Sequence, residues 1–152
     1  MKSLTKFVQE MHVNKIKRNK YKYFPKTKEE LQDIIKQRIE QEGNEVDLND
    51  INVSKITDMS QLFENTNFNG NISDWDVSNV KNMGFLFSGL SDFNGNVSNW
   101  DVSNVVDMRY MFYECLKFNR DISKWDVSNV KNMTNIFRGC PIEEKYKPNF
   151  IC

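Results

Sequence analysis

The sequence predicts an α/β repeat solenoid: right-handed, leucine-rich-repeat-like coils of short strands and single helical turns, with an N-terminal capping helix. Three observations lead there. The hexapeptide WDVSNV stands at 75–80, 100–105 and 125–130, a spacing of 25 residues. Each copy runs on to a Met and, four residues later, a Phe: Met83 and Phe87, Met108 and Phe112, Met133 and Phe137. A unit repeated at such a period cannot bury its apolar positions alone and gains a core by lying against its neighbours.

Each element follows from local pattern. Residues 1–24 form a basic arm. Within it Leu4, Phe7, Val8 and Met11 have the spacing of one helix face, so 3–12 reads as a short amphipathic helix. Residues 25–43 form the capping helix. Thr27 and Glu30 make a capping box, Leu31, Ile34, Ile35 and Ile39 make one apolar stripe, and Gly43 stops the helix. Residues 44–140 hold four coils. The first, INVSKITDMSQLF at 51–63, is degenerate: Ile51 takes the Trp place, while Met59 and Phe63 keep theirs. Phe68-Asn69, Phe93-Asn94 and Phe118-Asn119 recur between coils, and Ile72, Val97 and Ile122 each precede a Trp by three residues. Leu48 holds the same place before the first coil.

Within a coil, 71–75 alternates and reads as a strand, 80–83 as a second, and 83–87 as one helical turn. Parallel strands would set coils about 4.8 Å apart. Asn79, Asn104 and Asn129 fall at corners, where Asn bonds its own turn and tolerates left-handed backbone. Residues 141–152 break the repeat with Pro141 and Pro148 and form a C-terminal cap.

Composition narrows the chemistry. Net charge is zero, yet residues 1–28 carry nine basic side chains and one Glu, leaving 12 basic and 20 acidic groups in the rest. A basic arm therefore precedes an acidic body. No apolar run approaches the roughly 18 residues that span a bilayer, and the N-terminus has no apolar core of a secretory signal, so the expectation is either a cytoplasmic protein or one whose leader is missing from this sequence. Three cysteines without a C-x-x-C, and one histidine, His12, argue against a zinc site and against a nucleophile–base pair. No enzyme, cofactor, metal or small-molecule substrate is expected. Asp74/Asp76 resemble an acid–base pair in one coil, but Asn99 and Lys124 take the first place in the next two. Asp76, Asp101 and Asp126 do recur, as turn residues or as a carboxylate row facing a cation.

The pattern W-D-V-S-N-V-x-N-M-x-x-[LM]-F-x6-F-N resembles the 25-residue repeat of BspA-like leucine-rich-repeat surface proteins, a group that includes a bacterial lipoprotein repeat domain of unknown function. The resemblance covers roughly 44–140, and P-K-T-K-E-E-L resembles the lead-in to such arrays. It implies a cell-surface location and adhesion to proteins or other cells, with no catalytic residues to carry over.

The ladder residues Trp75, Trp100, Trp125, Met83, Met108, Met133, Phe87, Phe112 and Phe137 are expected in the core; the alternative for the Trp row is a carbohydrate platform. Cys115 and Cys140 follow the buried Phe at the place of Leu90 and are expected buried, reduced and adjacent. Ligand contacts should come from positions that vary between coils. These single out Phe85, Arg109, Tyr110 and Tyr113, aromatic and Arg types common at interface hot spots. A protein partner is therefore expected, and a carbohydrate is the competing ligand. The arm reads as a packed extension drawn to the acidic body, or as a contact for nucleic acid or an anionic membrane.

Overall fold

The computed structural model describes residues 3–151, with side chains at all of these except 15–19. Met1, Lys2 and Cys152, the outermost residues of the expected arm and cap, lie outside the described residues. Two helices come first, α1 (Leu4–Lys20) and α2 (Lys28–Glu42), and a single 3-10 turn (Glu144–Tyr146) comes near the end. Between them four copies of the 25-residue unit lie one on another.

The expected α/β solenoid of leucine-rich-repeat coils is corrected by this geometry. Among the described residues the four copies contain no helix and no strand. In place of a sheet they show isolated parallel bridges, Asp58 to Asn82 to Asp107 to Asn132, and Asp47 to Asn71. Two local causes account for this. The first is a string of turns closed by Asn and Asp side chains, which offer the backbone an alternative to extended pairing. In the second copy Asn71, Asp76 and Asn82 accept from the N–H groups of Ser73, Ser78 and Gly84 at 2.9–3.1 Å. The third copy repeats this with Asn96, Asp101 and Asp107, and the fourth with Asp121, Asp126 and Asn132. The expected strand at 71–75 is thus curled, and the Trp75 N–H bonds back to the Ile72 carbonyl.

The second cause is left-handed backbone inside the expected helical turn. Gln61, Phe85, Tyr110 and Asn135, each two residues after the copy's Met, have φ of 52–60°. Asn65, Gly89, Glu114 and Gly139, four residues further on, are left-handed too. A right-handed turn cannot pass through such residues. The N–H groups then divide their work. Those of Leu86, Ser88 and Leu90 close turns onto Met83, Phe85 and Phe87. Those of Met83, Phe85, Phe87 and Gly89 cross to the carbonyls of Asp107, Arg109, Met111 and Tyr113 in the next copy, at 2.8–3.0 Å.

Side-chain rows fill the space inside. Phe63, Phe87, Phe112 and Phe137 follow one another with ring centroids 5.5–5.9 Å apart. Phe68, Phe93 and Phe118 form a second row at 6.0–6.3 Å. Trp75 and Trp100 are parallel at 6.4 Å. All three Trp side chains are buried, and each indole N–H reaches the preceding copy: Trp75 to the Leu48 carbonyl (2.9 Å), Trp100 to that of Ile72 (3.1 Å), Trp125 to that of Val97 (3.1 Å). This satisfies the one polar group of a large apolar side chain. Asn79, Asn104 and Asn129 do not serve their own turns; their amides donate to the carbonyls of Ser54, Ser78 and Ser103 one copy back, at 2.7–2.8 Å.

The first copy is closed by α2. Thr27 caps the helix by accepting the Glu30 N–H, the Glu30 carboxylate reaches back to the Lys26 N–H, and Gly43 (φ 93°) ends it. Leu31 and Ile35 are fully buried. Arg38, in the helix but outside the predicted apolar stripe, is also buried. It pairs with Glu42, binds Asp50 at 2.8 Å and the Asp47 carbonyl at 3.0 Å, and lies over the Tyr23 ring. At the other end Ile142 and Pro148 are buried, and the Tyr146 carbonyl accepts the Ile122 N–H. The last copy is covered less completely, so Met133 and Phe137 are half-buried where Met108 and Phe112 are fully buried.

Helix α1 is longer than the 3–12 segment expected. Its apolar side chains Leu4, Phe7, Val8, Met11 and Val13 are 48–78% exposed. Residues 21–24 behave differently. Lys22 and Tyr23 donate to the Asp50 carbonyl, and Asn52 donates to that of Tyr23.

Trp100→Phe keeps a ring in the row but leaves the Ile72 carbonyl without its indole partner, so it should cost about 1–3 kcal/mol. Trp100→Ala should cost about 3–5 kcal/mol. Equal denaturant midpoints for Trp100→Phe and the natural protein would show that the indole bond adds nothing. Deleting 1–20 should leave the melting temperature within about 2 °C, whereas deleting 1–24 should lower it by a further 3–5 °C or so, since three backbone bonds and Tyr23 are lost. Calorimetry of the two truncations separates these outcomes.

Candidate binding surface

The left-handed residue two places after each Met sets the site. It turns its side chain away from the core, while in the first three copies its N–H crosses to the next copy. Gln61 and Asn135 occupy this place in the outer copies; Phe85 and Tyr110 occupy it in the middle ones. A bulky residue held there costs about 1–2 kcal/mol more than glycine would. The rings of Phe85 and Tyr110 lie face to face, with centroids 4.8 Å apart and planes 5° apart. Tyr113 meets Tyr110 edge-on at 5.5 Å. The Tyr110 hydroxyl accepts from the Asn135 amide at 2.9 Å, which fixes the ring on the copy below. Phe85 is 37% exposed, and both tyrosines are half-buried. Arg109, exposed beside them, is tied to Asp107 at 2.9 Å. Phe85 and Arg109 line a shallow depression with Ser60, Gln61, Asn82 and Gly84.

The structure thus brings Phe85, Tyr110 and Tyr113 into one aromatic row with Arg109 on its flank. It places the Trp row elsewhere. Trp75, Trp100 and Trp125 are 4–5% exposed, so they offer no platform to a sugar. The remaining candidates disperse. His12 is exposed on α1. Asp74 pairs with Lys20 of α1 at 3.0 Å, while Asp76 holds the Ser78 turn. Among the described residues no three His, Cys, Asp or Glu side chains gather to hold a metal. Cys115 is buried, its Sγ donates to the Phe87 carbonyl at 2.9 Å, and burial pushes its thiol pKa up. Cys140 is only half-buried, against expectation, because no copy lies beyond it; both thiols are free. No helix among the described residues is long and apolar enough to cross a membrane.

Fold and surface together define a small protein of turn-built repeats that displays one aromatic row on a backbone tied from copy to copy. Residues 29–149 match the family described as "Mycoplasma protein of unknown function, DUF285", and the chain belongs to that family. No curated protein and no solved structure matches it. Its description carries no activity and does not name the leucine-rich-repeat group that the motif resembles.

The recurring Asp residues have a structural task. Asp101 and Asp126 each accept both the hydroxyl and the N–H of the Ser two residues on, as Asp121 does from Ser123. The Ser103, Ser128 and Ser123 hydroxyls, with the backbone N–H groups second, hold these carboxyls below the usual range. A depressed folded-state pKa contributes stability above the unfolded value, about 3.9, that is lost as pH falls through the folded value. The melting temperature should therefore drop below about pH 4. Asp101→Asn with Asp126→Asn should flatten that acid limb while keeping the turns, since Asn52 already makes the same contacts to Ser54. An unchanged acid limb in the double variant would assign the acid sensitivity to other groups.

Proposed function

We propose that this protein is a non-enzymatic protein-binding module and that Phe85, Arg109, Tyr110 and Tyr113 form its contact surface. The single observation that carries the reading is Phe85 and Tyr110 at left-handed positions. Asn135 fills the same place in the last copy at lower conformational cost, yet the middle copies carry bulky rings there, partly in solvent. Backbone strain retained at a surface is a feature of functional sites. Aromatic and Arg side chains grouped on a rigid support are also the composition of interface hot spots. The resemblance of the repeat to that of BspA-like surface proteins supports an adhesive role.

A carbohydrate ligand is the competing reading. Sugars stack on open ring faces, but Phe85 and Tyr110 each give one face to the other. This favours a protein partner meeting the ring edges and the Arg109 guanidinium.

The test is the double variant Phe85→Asn with Tyr110→Asn. It removes the rings and relieves the backbone, so the melting temperature should hold or rise while affinity-captured partners are lost by about tenfold or more. Partners retained at full strength by a folded double variant would remove the surface from consideration. Binding to a glycan array that the same variant abolishes would establish the carbohydrate reading instead.

A further inference from the structure

The crossing bonds between copies end abruptly. Met83, Phe85, Phe87 and Gly89 donate to the third copy, and Met108, Tyr110, Phe112 and Glu114 donate to Asn132, Thr134, Ile136 and Arg138 of the fourth at 2.8–2.9 Å. The equivalent N–H groups of Met133, Asn135, Phe137 and Gly139 have no hydrogen-bond partner among the described residues. After Cys140 the chain breaks at Pro141 and follows the Ile122 side, where Tyr146 supplies its carbonyl. Lys147 passes 5.6 Å from the Phe137 ring and brings a donor, not an acceptor.

We propose that this edge of the fourth copy is a docking site for a segment of another protein that takes the turn-built course of a repeat copy, lying parallel to 133–139 and presenting alternate carbonyls. Three observations narrow the occupant. The row consists of donors, because the carbonyls of Met133, Asn135 and Phe137 are engaged by Ile136, Arg138 and Cys140. Two such edges meeting face to face would therefore oppose N–H to N–H. The complementary acceptor edge of a second molecule, at its first copy, lies against α2: Lys28 donates to the Ser60 carbonyl of that edge at 3.3 Å, and Gln32 reaches the neighbouring Gln61 carbonyl, already engaged by the Glu64 N–H, at 3.4 Å. Self-stacking is blocked on both counts. The third observation is the apolar strip alongside the donors. Met133, Phe137 and Cys140 are half-buried, whereas Met108, Phe112 and Cys115 one copy earlier are fully covered.

The molecule itself shows what fits. Segment 107–113 supplies the carbonyls for 83–89, with Met108, Met111 and Phe112 turned into the core. The partner segment accordingly carries apolar residues at i, i+3 and i+4 and lends alternate carbonyls. Addition of a chain to an unpaired backbone edge is a general recognition mode, with main-chain bonds for affinity and side-chain pockets for specificity. This proposal does not rest on the aromatic row.

Amide hydrogen exchange of the full chain, read by NMR, tests it with a synthetic peptide of residues 105–116 carrying Cys115→Ser. Without peptide, the amides of Met133, Asn135, Phe137 and Gly139 should exchange about tenfold or more faster than those of Met108, Tyr110, Phe112 and Glu114. Saturating peptide should slow the four by about tenfold, and a control peptide with Met108→Asp and Phe112→Asp should not. Four amides already protected in dilute peptide-free protein would mean the edge is closed. Protection that rises with protein concentration alone would mean that copies of this chain occupy it. No response to the first peptide, or the same response to both, overturns the proposal as well.

Discussion

Four of the seven backbone N–H groups along each of 83–89 and 108–114 leave their own copy and donate to the next, while the other three close local turns. Much else in the molecule follows from that division. A buried backbone needs its polar groups paired. A helix would pair them all within the copy and leave nothing to hold neighbours together. A strand would send them sideways in both directions. The turns with left-handed Phe85, Gly89, Tyr110 and Glu114 do neither: along these strips the crossing N–H groups point one way, toward the C-terminal neighbour. This strip of the stack consequently has a polarity, with acceptors at its start and donors at its end, whereas the N–H groups of Lys81, Val106 and Lys131 beside it donate to the preceding copy.

That polarity explains why the two ends are treated differently. The acceptor end meets a helix whose Lys28 supplies a donor to the Ser60 carbonyl and whose Leu31 and Ile35 supply apolar cover. Arg38 joins the same helix to Asp50 and the Asp47 carbonyl, so the helix is anchored electrostatically as well as by packing. Asp50 in turn lends its carbonyl to Lys22 and Tyr23, which brings the residues before α2 into the same end. The donor end has only the irregular chain 141–150, which covers the Ile122 side and leaves the Met133 side half-open.

Part of the surface was legible in advance. Positions that vary between copies could be separated from those that recur, and Phe85, Arg109, Tyr110 and Tyr113 emerged from that sorting. Their lying close together on one side was expected as well, but their ring geometry was not legible, because the strip was read as one helical turn. A helical turn would point Phe85 and Phe87 to different faces for a different reason and would not set Phe85 against Tyr110. The actual cause is positive φ at Phe85 and Tyr110. Bulky aromatic residues give no local sign of that conformation, and only Gly89 and Gly139 in the same strip do so. The turns at Asn71, Asn96 and Asp121 were a missed signal of another kind, although a turn role for Asp76, Asp101 and Asp126 was read from their recurrence. N-x-S and D-x-S recur at these places too, but apolar alternation across 71–75 was given more weight.

The sequence by itself determined the period, the apolar rows, the Thr27–Gly43 limits of α2 and the buried place of Cys115, because each depends on side-chain size, polarity or a local capping bond. Backbone conformation within a copy was decided only in the tertiary structure. The left-handed residues cost energy alone and are held by crossing bonds to a neighbour 24 residues away in the chain, as from Phe85 to Arg109. The task of Asn79, Asn104 and Asn129 was decided the same way, since their amides serve carbonyls of the preceding copy. An interaction that exists only when copies meet leaves no trace in the local pattern of any one of them.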